Sequence, residues 1–214
     1  CSSLKKVNFN KVRTIGGEAF SKCVSLTDID FGQVRNVQGG AFSGCNGFTI
    51  VDNTGNIEVI NSAAFYNNTS LRAIRFSPAL KEIWEHSFEG CNSLKIIVFL
   101  GNAPKFMPVD AYYDSFALPD GAVAYYPAND ATWTEDAREL LGQKTLWVPV
   151  DDPFAVSLDV NPENFSGVCG PNTVFSLKDG VLTISGKGEV SHPSWNSYRS
   201  HIQKVVIQDG VTSI

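Results

Sequence analysis

The chain has 214 residues, 43% hydrophobic and 18% charged, an ordinary balance for a protein that folds around a core. Its 17 Lys and Arg against 22 Asp and Glu leave a net charge of −5. That lacks the concentrated positive field that phosphate contacts require, so no nucleic acid partner is expected. No run approaches the ~20 apolar residues that cross a bilayer, and no charged segment leads into an apolar one as in a secretory signal; direct membrane insertion is not expected. The first residue is Cys1 and not Met, which reads as the start of a piece excised from a longer chain.

The first half repeats itself. Ala19-Phe20, Ala41-Phe42, Ala64-Phe65 and Ser87-Phe88 recur at steps of 22, 23 and 23 residues, and the same steps carry Cys23 to Cys45, Asn68 and Cys91. Around these anchors the pattern is apolar-x-x-apolar-x-apolar, then apolar-x-x-apolar, then Ala-Phe-x-x-Cys. One copy reads Leu26, Ile29, Phe31, Val34, Val37, Ala41, Phe42, Cys45; the first begins at Leu4, Val7, Phe9 and the fourth at Leu71, Ile74, Phe76. The third is weaker, with Asn53 near where the others place Phe. A period of this length with one short strand per unit is that of a leucine-rich-repeat solenoid, in which no unit buries its apolar side alone and each must stack on its neighbours. Residues 1–100 are therefore expected to form β-rich coils, each with a short strand, a turn at positions such as Ile15-Gly16 and a tight helical turn at Ala-Phe-x-x-Cys. Leu94, Ile97 and Phe99 make a fifth strand, after which the register is lost.

Residues 101–150 are expected to form a small α+β cap over the end of the stack, since repeat arrays need one. Trp133, Ala137, Leu140 and Leu141 fall on one helical face, with Asn129 or Asp130 as N-cap and Gly142 just past the end. Pro149, Asp151, Asp152 and Pro153 read as a turn or linker. Residues 151–201 form a β-hairpin spacer: Asp179-Gly180 suits a type I′ turn, which sets Leu177 opposite Leu182 and Phe175 opposite Ile184, with Ser176 and Thr183 on the other face. Trp195, Tyr198 and Ile202 follow at near-helical spacing. Finally Ile202, Val205, Ile207, Val211 and Ile214 repeat the offsets of Leu71, Ile74, Phe76, Leu80 and Ile83, so 202–214 reads as the start of a second array.

The search for chemistry turns up little. His86, His192 and His201 share no ligand spacing, and no Ser or Cys sits in a nucleophile-elbow context. The acidic pairs Asp28/Asp30, Asp114/Asp120 and Asp151/Asp152 lack an EF-hand run of ligands. No enzyme activity, cofactor or metal is expected. Cys1, Cys23 and Cys45 share a column whose ~4.8 Å rungs leave a disulfide geometrically open, but Asn68 in the same column favours buried free thiols, and Cys169 stands alone. The sequons Asn67-Asn68-Thr69 and Asn164-Phe165-Ser166 are short patterns that arise often by chance.

The repeat, seen in Leu26-Thr27-Asp28-Ile29-Asp30-Phe31 through Ala41-Phe42-Ser43-Gly44-Cys45, resembles the BspA-like leucine-rich-repeat family of bacterial surface proteins. The stretch from Cys169-Gly170 through Asp179-Gly180-Val181-Leu182 to Asp209-Gly210-Val211 resembles the spacer such proteins place between arrays. The resemblance implies a secreted or cell-surface protein, with adhesion to host or neighbouring-cell surface or matrix proteins as its role. It carries no family-wide functional residue.

A binding face follows from strand geometry, because residues between the inward apolar positions point out of the sheet. Down the stack they read Lys6/Asn8, Asp28/Asp30, Ile50/Asp52, Ala73/Arg75 and Ile96/Val98. This mixed surface, acidic toward one end and apolar toward the other, suits a protein partner. The alternatives are an architectural spacer without a ligand, or a carbohydrate-binding module using Tyr112, Tyr113, Tyr125, Tyr126 and Trp133.

Overall fold

The computed structural model describes residues 1–52, 55–108, 117–159, 164–170 (backbone alone for 164–168), 172–190 and 202–214. The chain forms two compact units, Cys1–Leu158 and Asp159–Ile214. In the first, each repeat is one coil with two strands. The coils carry β1 (Lys6–Asn8) and β2 (Thr14–Ile15), β3 (Asp28–Asp30) and β4 (Asn36–Val37), β5 (Ile50–Asp52) and β6 (Val59–Ile60), β7 (Ala73–Phe76) and β8 (Glu82–Trp84), then β9 (Ile96–Phe99) and β10 (Lys105–Met107). Every ladder between neighbouring coils is parallel, and β3 and β5 form none. The second strand of each coil lies where the sequence suggested only a turn. Its inward residue is the last of the second apolar pair, buried at Ile15, Val37, Ile60 and Ile83. These strands build an unbroken second sheet, β2-β4-β6-β8-β10.

Inward columns make the core. Phe20, Phe42, Phe65 and Phe88 stack at centroid separations of 5.5, 5.4 and 5.3 Å with planes within 18°, an arrangement worth ~0.5–1.5 kcal/mol per pair beyond area burial. Leu26, Phe48, Leu71 and Leu94 fill a second column. The tight turn expected on the back of each coil is a run of overlapping reverse turns. In the first coil the Ala19, Ser21 and Cys23 amides donate to the Gly16, Glu18 and Phe20 carbonyls. Residues four positions apart in these turns, Glu18 and Lys22, then Ala63 and Asn67, hold left-handed φ of 56–58°, as does His86 at 55°. That strained backbone turns amides toward the next coil: Glu18 N–H donates to the Gly39 carbonyl, Phe20 to Ala41, Lys22 to Ser43.

The cysteine column has one physical demand, a small donor. Cys45 Sγ–H donates to the Phe20 carbonyl of the preceding coil at 2.9 Å, Asn68 Nδ2 donates to Phe42 at 3.1 Å, and Cys91 Sγ–H donates to Phe65 at 3.1 Å. Asn68 thus stands in for a thiol by making the same bond. All five cysteines are free. Burial pushes the Cys45 thiol up to about 11 and the Cys91 thiol up to about 12, so both remain protonated donors at neutral pH.

The register that lapses in the sequence after Phe99 continues in space. β11 (Val123–Pro127) pairs in parallel with β9, and β12 (Leu146–Val150) with β11, giving the first sheet two further rungs. Between them lies α1 (Glu135–Leu141). Its N-cap is Thr134, whose hydroxyl accepts the Ala137 amide at 3.2 Å. The expected cap Asp130 instead accepts the Thr132 amide and hydroxyl, holding the preceding turn. Leu141 is buried but Leu140 is 56% exposed, because neighbours on a helix lie about 100° apart and this seven-residue helix seats only one of the two. Trp133 precedes the helix and packs with Phe99, Tyr126 and Trp147.

The second unit contains β13 (Asn164–Gly170), β14 (Thr173–Lys178), β15 (Val181–Gly186), β16 (Gly188–Glu189), β17 (Lys204–Ile207) and β18 (Val211–Ser213). The β14–β15 hairpin has the expected register, Leu177↔Leu182, Phe175↔Ile184 and Ser176↔Thr183, across Asp179 (φ 49°) and Gly180 (φ 76°). β17 pairs in parallel with β15, and β18 with β16. Trp195, Tyr198, His192 and His201 lie outside the described residues.

Candidate binding face of the first sheet

Ladder register places the columns expected to form the face side by side. Lys6 stands against Asp28 and Asn8 against Asp30; Ile50 against Ala73, then Ile96 and Val123; Asp52 against Arg75, then Val98 and Tyr125. Burial divides this face in two. Lys6, Asn8, Asp28, Asp30, Ile50 and Asp52 are exposed. Ile96 and Val98 are 6% and 0% exposed, and Ala73 is also buried. These three positions, read from the sequence as part of an open surface, belong to the interior.

The closing material comes from far along the chain. Asp152 accepts the Phe154 amide and caps a 3-10 turn, Pro153–Ala155, that packs on β11. Pro153 and Leu158 are buried. The Arg75 guanidinium, 11% exposed, donates through Nη2 to the Val156 carbonyl and pairs through Nη1 with Asp52 at 2.8 Å. Segment 151–158, which opens on the turn or linker expected at Pro149, Asp151, Asp152 and Pro153, is thus tied to the C-terminal half of the face. A signal for this was present. Ile96-Ile97-Val98-Phe99 is apolar without alternation, as befits a strand buried on both sides, whereas Lys6-Val7-Asn8 and Asp28-Ile29-Asp30 alternate as half-exposed strands do.

At the open half, Lys6 Nζ meets Asp28 at 2.6 Å, which raises the ammonium's pKa through that hydrogen bond and charge. Both side chains are more than half exposed, so the pair is weak and screened by salt. A second feature was not foreseen. The first sheet is interrupted: β1-β3 forms one ladder, β5-β7-β9-β11-β12 another. Between β3 and β5 lies a cleft of about 200 Å³ lined by Thr27, Asp28, Phe31, Phe48, Ile50 and Asp52, among others. The same two coils remain joined in the second sheet, where Asn36 pairs with Val59, and on the back, where Phe42 N–H donates to Ala64. The opening is local. Its sequence signature is the weak third repeat, with Phe48 replacing the column's Leu and Asn53, outside the described residues, replacing its Phe.

Other candidates fare differently. Tyr126 and Trp133 are buried in the aromatic cluster, so they offer no sugar platform; Tyr112, Tyr113 and Asp114 lie outside the described residues. Asp120 pairs with Lys144 at 2.9 Å, and His86 Nδ1 is hydrogen-bonded to Glu89. Among the described residues no three His, Cys, Asp or Glu side chains gather as a metal site, and no helix is long and apolar enough to cross a membrane.

With coils, columns and ladders in place, the family is decided by sequence profile. The BspA type leucine rich repeat region matches six copies over residues 1–118, just over half of the chain. The chain belongs to this family. Among solved structures, it is similar to a leucine-rich repeat protein from Bacteroides ovatus, at 15% identity and a TM-score of 0.30, over 100% of this chain and 63% of that one. It thus spans less than two thirds of that protein's length. No curated protein matches it. A BspA-type leucine-rich-repeat protein is a repeat module, and its solenoid offers extended sheet faces.

Proposed function

We propose that the chain is a non-catalytic protein-binding module of a secreted or surface-attached bacterial protein, engaging surface or matrix proteins of a host or neighbouring cell. The observation that carries this reading is the division of the sheet face. One half is closed by the chain's own return segment, while the other leaves Lys6, Asn8, Asp28, Asp30, Ile50 and Asp52 exposed on rigid strands. A mixed surface carried on strands suits a folded partner, whose contacts would combine an apolar residue such as Ile50 with flanking charges. The family's general association with bacterial surface proteins supports the location.

The test is binding of the intact chain to a panel of purified matrix and surface proteins, with and without the double substitution Asp28→Lys, Asp30→Lys. The expected result is at least one saturable partner whose affinity falls tenfold or more in the variant. A panel in which nothing binds, or binding indifferent to the substitutions, would favour an architectural spacer.

A further inference from the structure

A parallel ladder alternates its hydrogen bonds from one neighbour to the other. In β3, Asp28 N–H donates back to the Lys5 carbonyl, as does Thr27 N–H, and the Asp30 carbonyl accepts Phe9 N–H, so Ile29 presents its main-chain groups to the β5 side. In β5, the Thr49 carbonyl accepts from Arg72 and Ala73, so Ile50 turns its own groups toward β3. Among the described residues no hydrogen bond joins these edges. Two strand edges of a sheet that is elsewhere paired therefore face each other across the cleft. Unpaired edges are templates for an added extended segment.

Three observations narrow what would occupy it. The volume, about 200 Å³, falls below the ~300–1,000 Å³ of sites for drug-sized ligands; it takes one side chain and its adjoining backbone. Its lining sets the buried Phe31, Phe48 and Val51 beside the exposed carboxylates of Asp28 and Asp52. Arg75 already holds Asp52, whereas among the described residues Asp28 pairs with exposed Lys6, which an incoming cation displaces readily. An apolar stem with a cationic head matches a lysine or arginine side chain. The face itself supplies the precedent for the backbone. Farther along, it accepts the non-helical segment around Val156 through its main-chain carbonyl.

We propose that the β3–β5 cleft is a recognition site for an extended peptide segment presenting a lysine or arginine, its backbone satisfying the open edges and its cationic head reaching Asp28. This rests on the protein-binding role above and names the partner's chemistry. Two fluorescein-labelled hexapeptides of alternating Thr and Val, one with a central Lys and one with a central Glu, are titrated into the intact chain, with amide exchange read in parallel. The expected result is that the Lys peptide binds at least tenfold more tightly than the Glu peptide and slows exchange at Ile29 and Ile50. Asp28→Asn should weaken the Lys peptide several-fold, and Ile50→Lys, a substitution at an exposed position, should abolish binding with the melting temperature unchanged. Equal affinity for both peptides, protection elsewhere, or no binding overturns the proposal. If the panel above yields a partner sensitive to Asp28→Lys, Asp30→Lys but not to Ile50→Lys, the cleft fails while the binding role stands.

Discussion

The two halves of the first-sheet face are made by the same repeat and end in opposite conditions. In β1 and β3 the outward residues are charged or polar and in contact with solvent; in β7 and β9 Ala73, Ile96 and Val98 are as buried as the columns beneath them. Strand geometry is common to both, so the difference lies in what packs on top. Val123 and Tyr125 extend the apolar outward columns beyond β9, and segment 151–158 returns to close them, held by Arg75. A solenoid face is thus a surface only until later residues decide otherwise, and the open half is where a partner can act.

The sharpest way to break this comparison is to change the charge on each half. Val98→Asp strands an unpaired carboxylate in the interior and should cost roughly 3–5 kcal/mol, whereas Asp30→Ala, on the open half, should fall within about 0.5 kcal/mol. Urea denaturation of the two variants measures both, and equal effects would refute the division. Next in size is Arg75→Ala, which removes the charge-assisted bond to Val156. A loss of about 1.5–3 kcal/mol is expected, together with faster proteolysis within 151–158; unchanged cleavage would show that the segment is held by other contacts. The smallest effect concerns what both halves share, the thiol column beneath them. Burial raises the folded-state pKa of Cys45 to about 11 and of Cys91 to about 12 from an ordinary 9.0. Their contribution to stability is complete below pH 9 and is lost as pH rises through these values, because only the unfolded chain releases the protons easily. Replacing both by Asn, the residue already present at position 68, should flatten the alkaline limb of a melting-temperature profile between about pH 9 and 12. A profile identical to the parent would assign that limb to other groups.

Much of the fold was legible because its determinants are local and repeated. The 22–23-residue period, the inward columns, the thiol's replacement by Asn68 and the Leu177↔Leu182 register each depend on spacing or on a two-residue turn. The second strand of each coil was missed because two residues carry too little alternation to register as a strand. Thr134 displaced Asp130 as the helix cap because several capping residues precede α1 and only tertiary packing selects the start. Ile96 and Val98 were placed on the open face by a correct rule, applied without the chain that covers them.

By itself, then, the sequence determines the repeat, the faces and the residues that point into each, since these follow from periodicities of two and of 22 or 23 in the covalent chain. Only the tertiary structure decides which part of the face is free. The contact that closes one half joins Arg75 to Val156 across 81 residues, and the gap that opens the other is a ladder left unformed between β3 and β5. Neither is encoded in a local pattern, because each depends on how well distant segments satisfy one another's polar groups and fill one another's space.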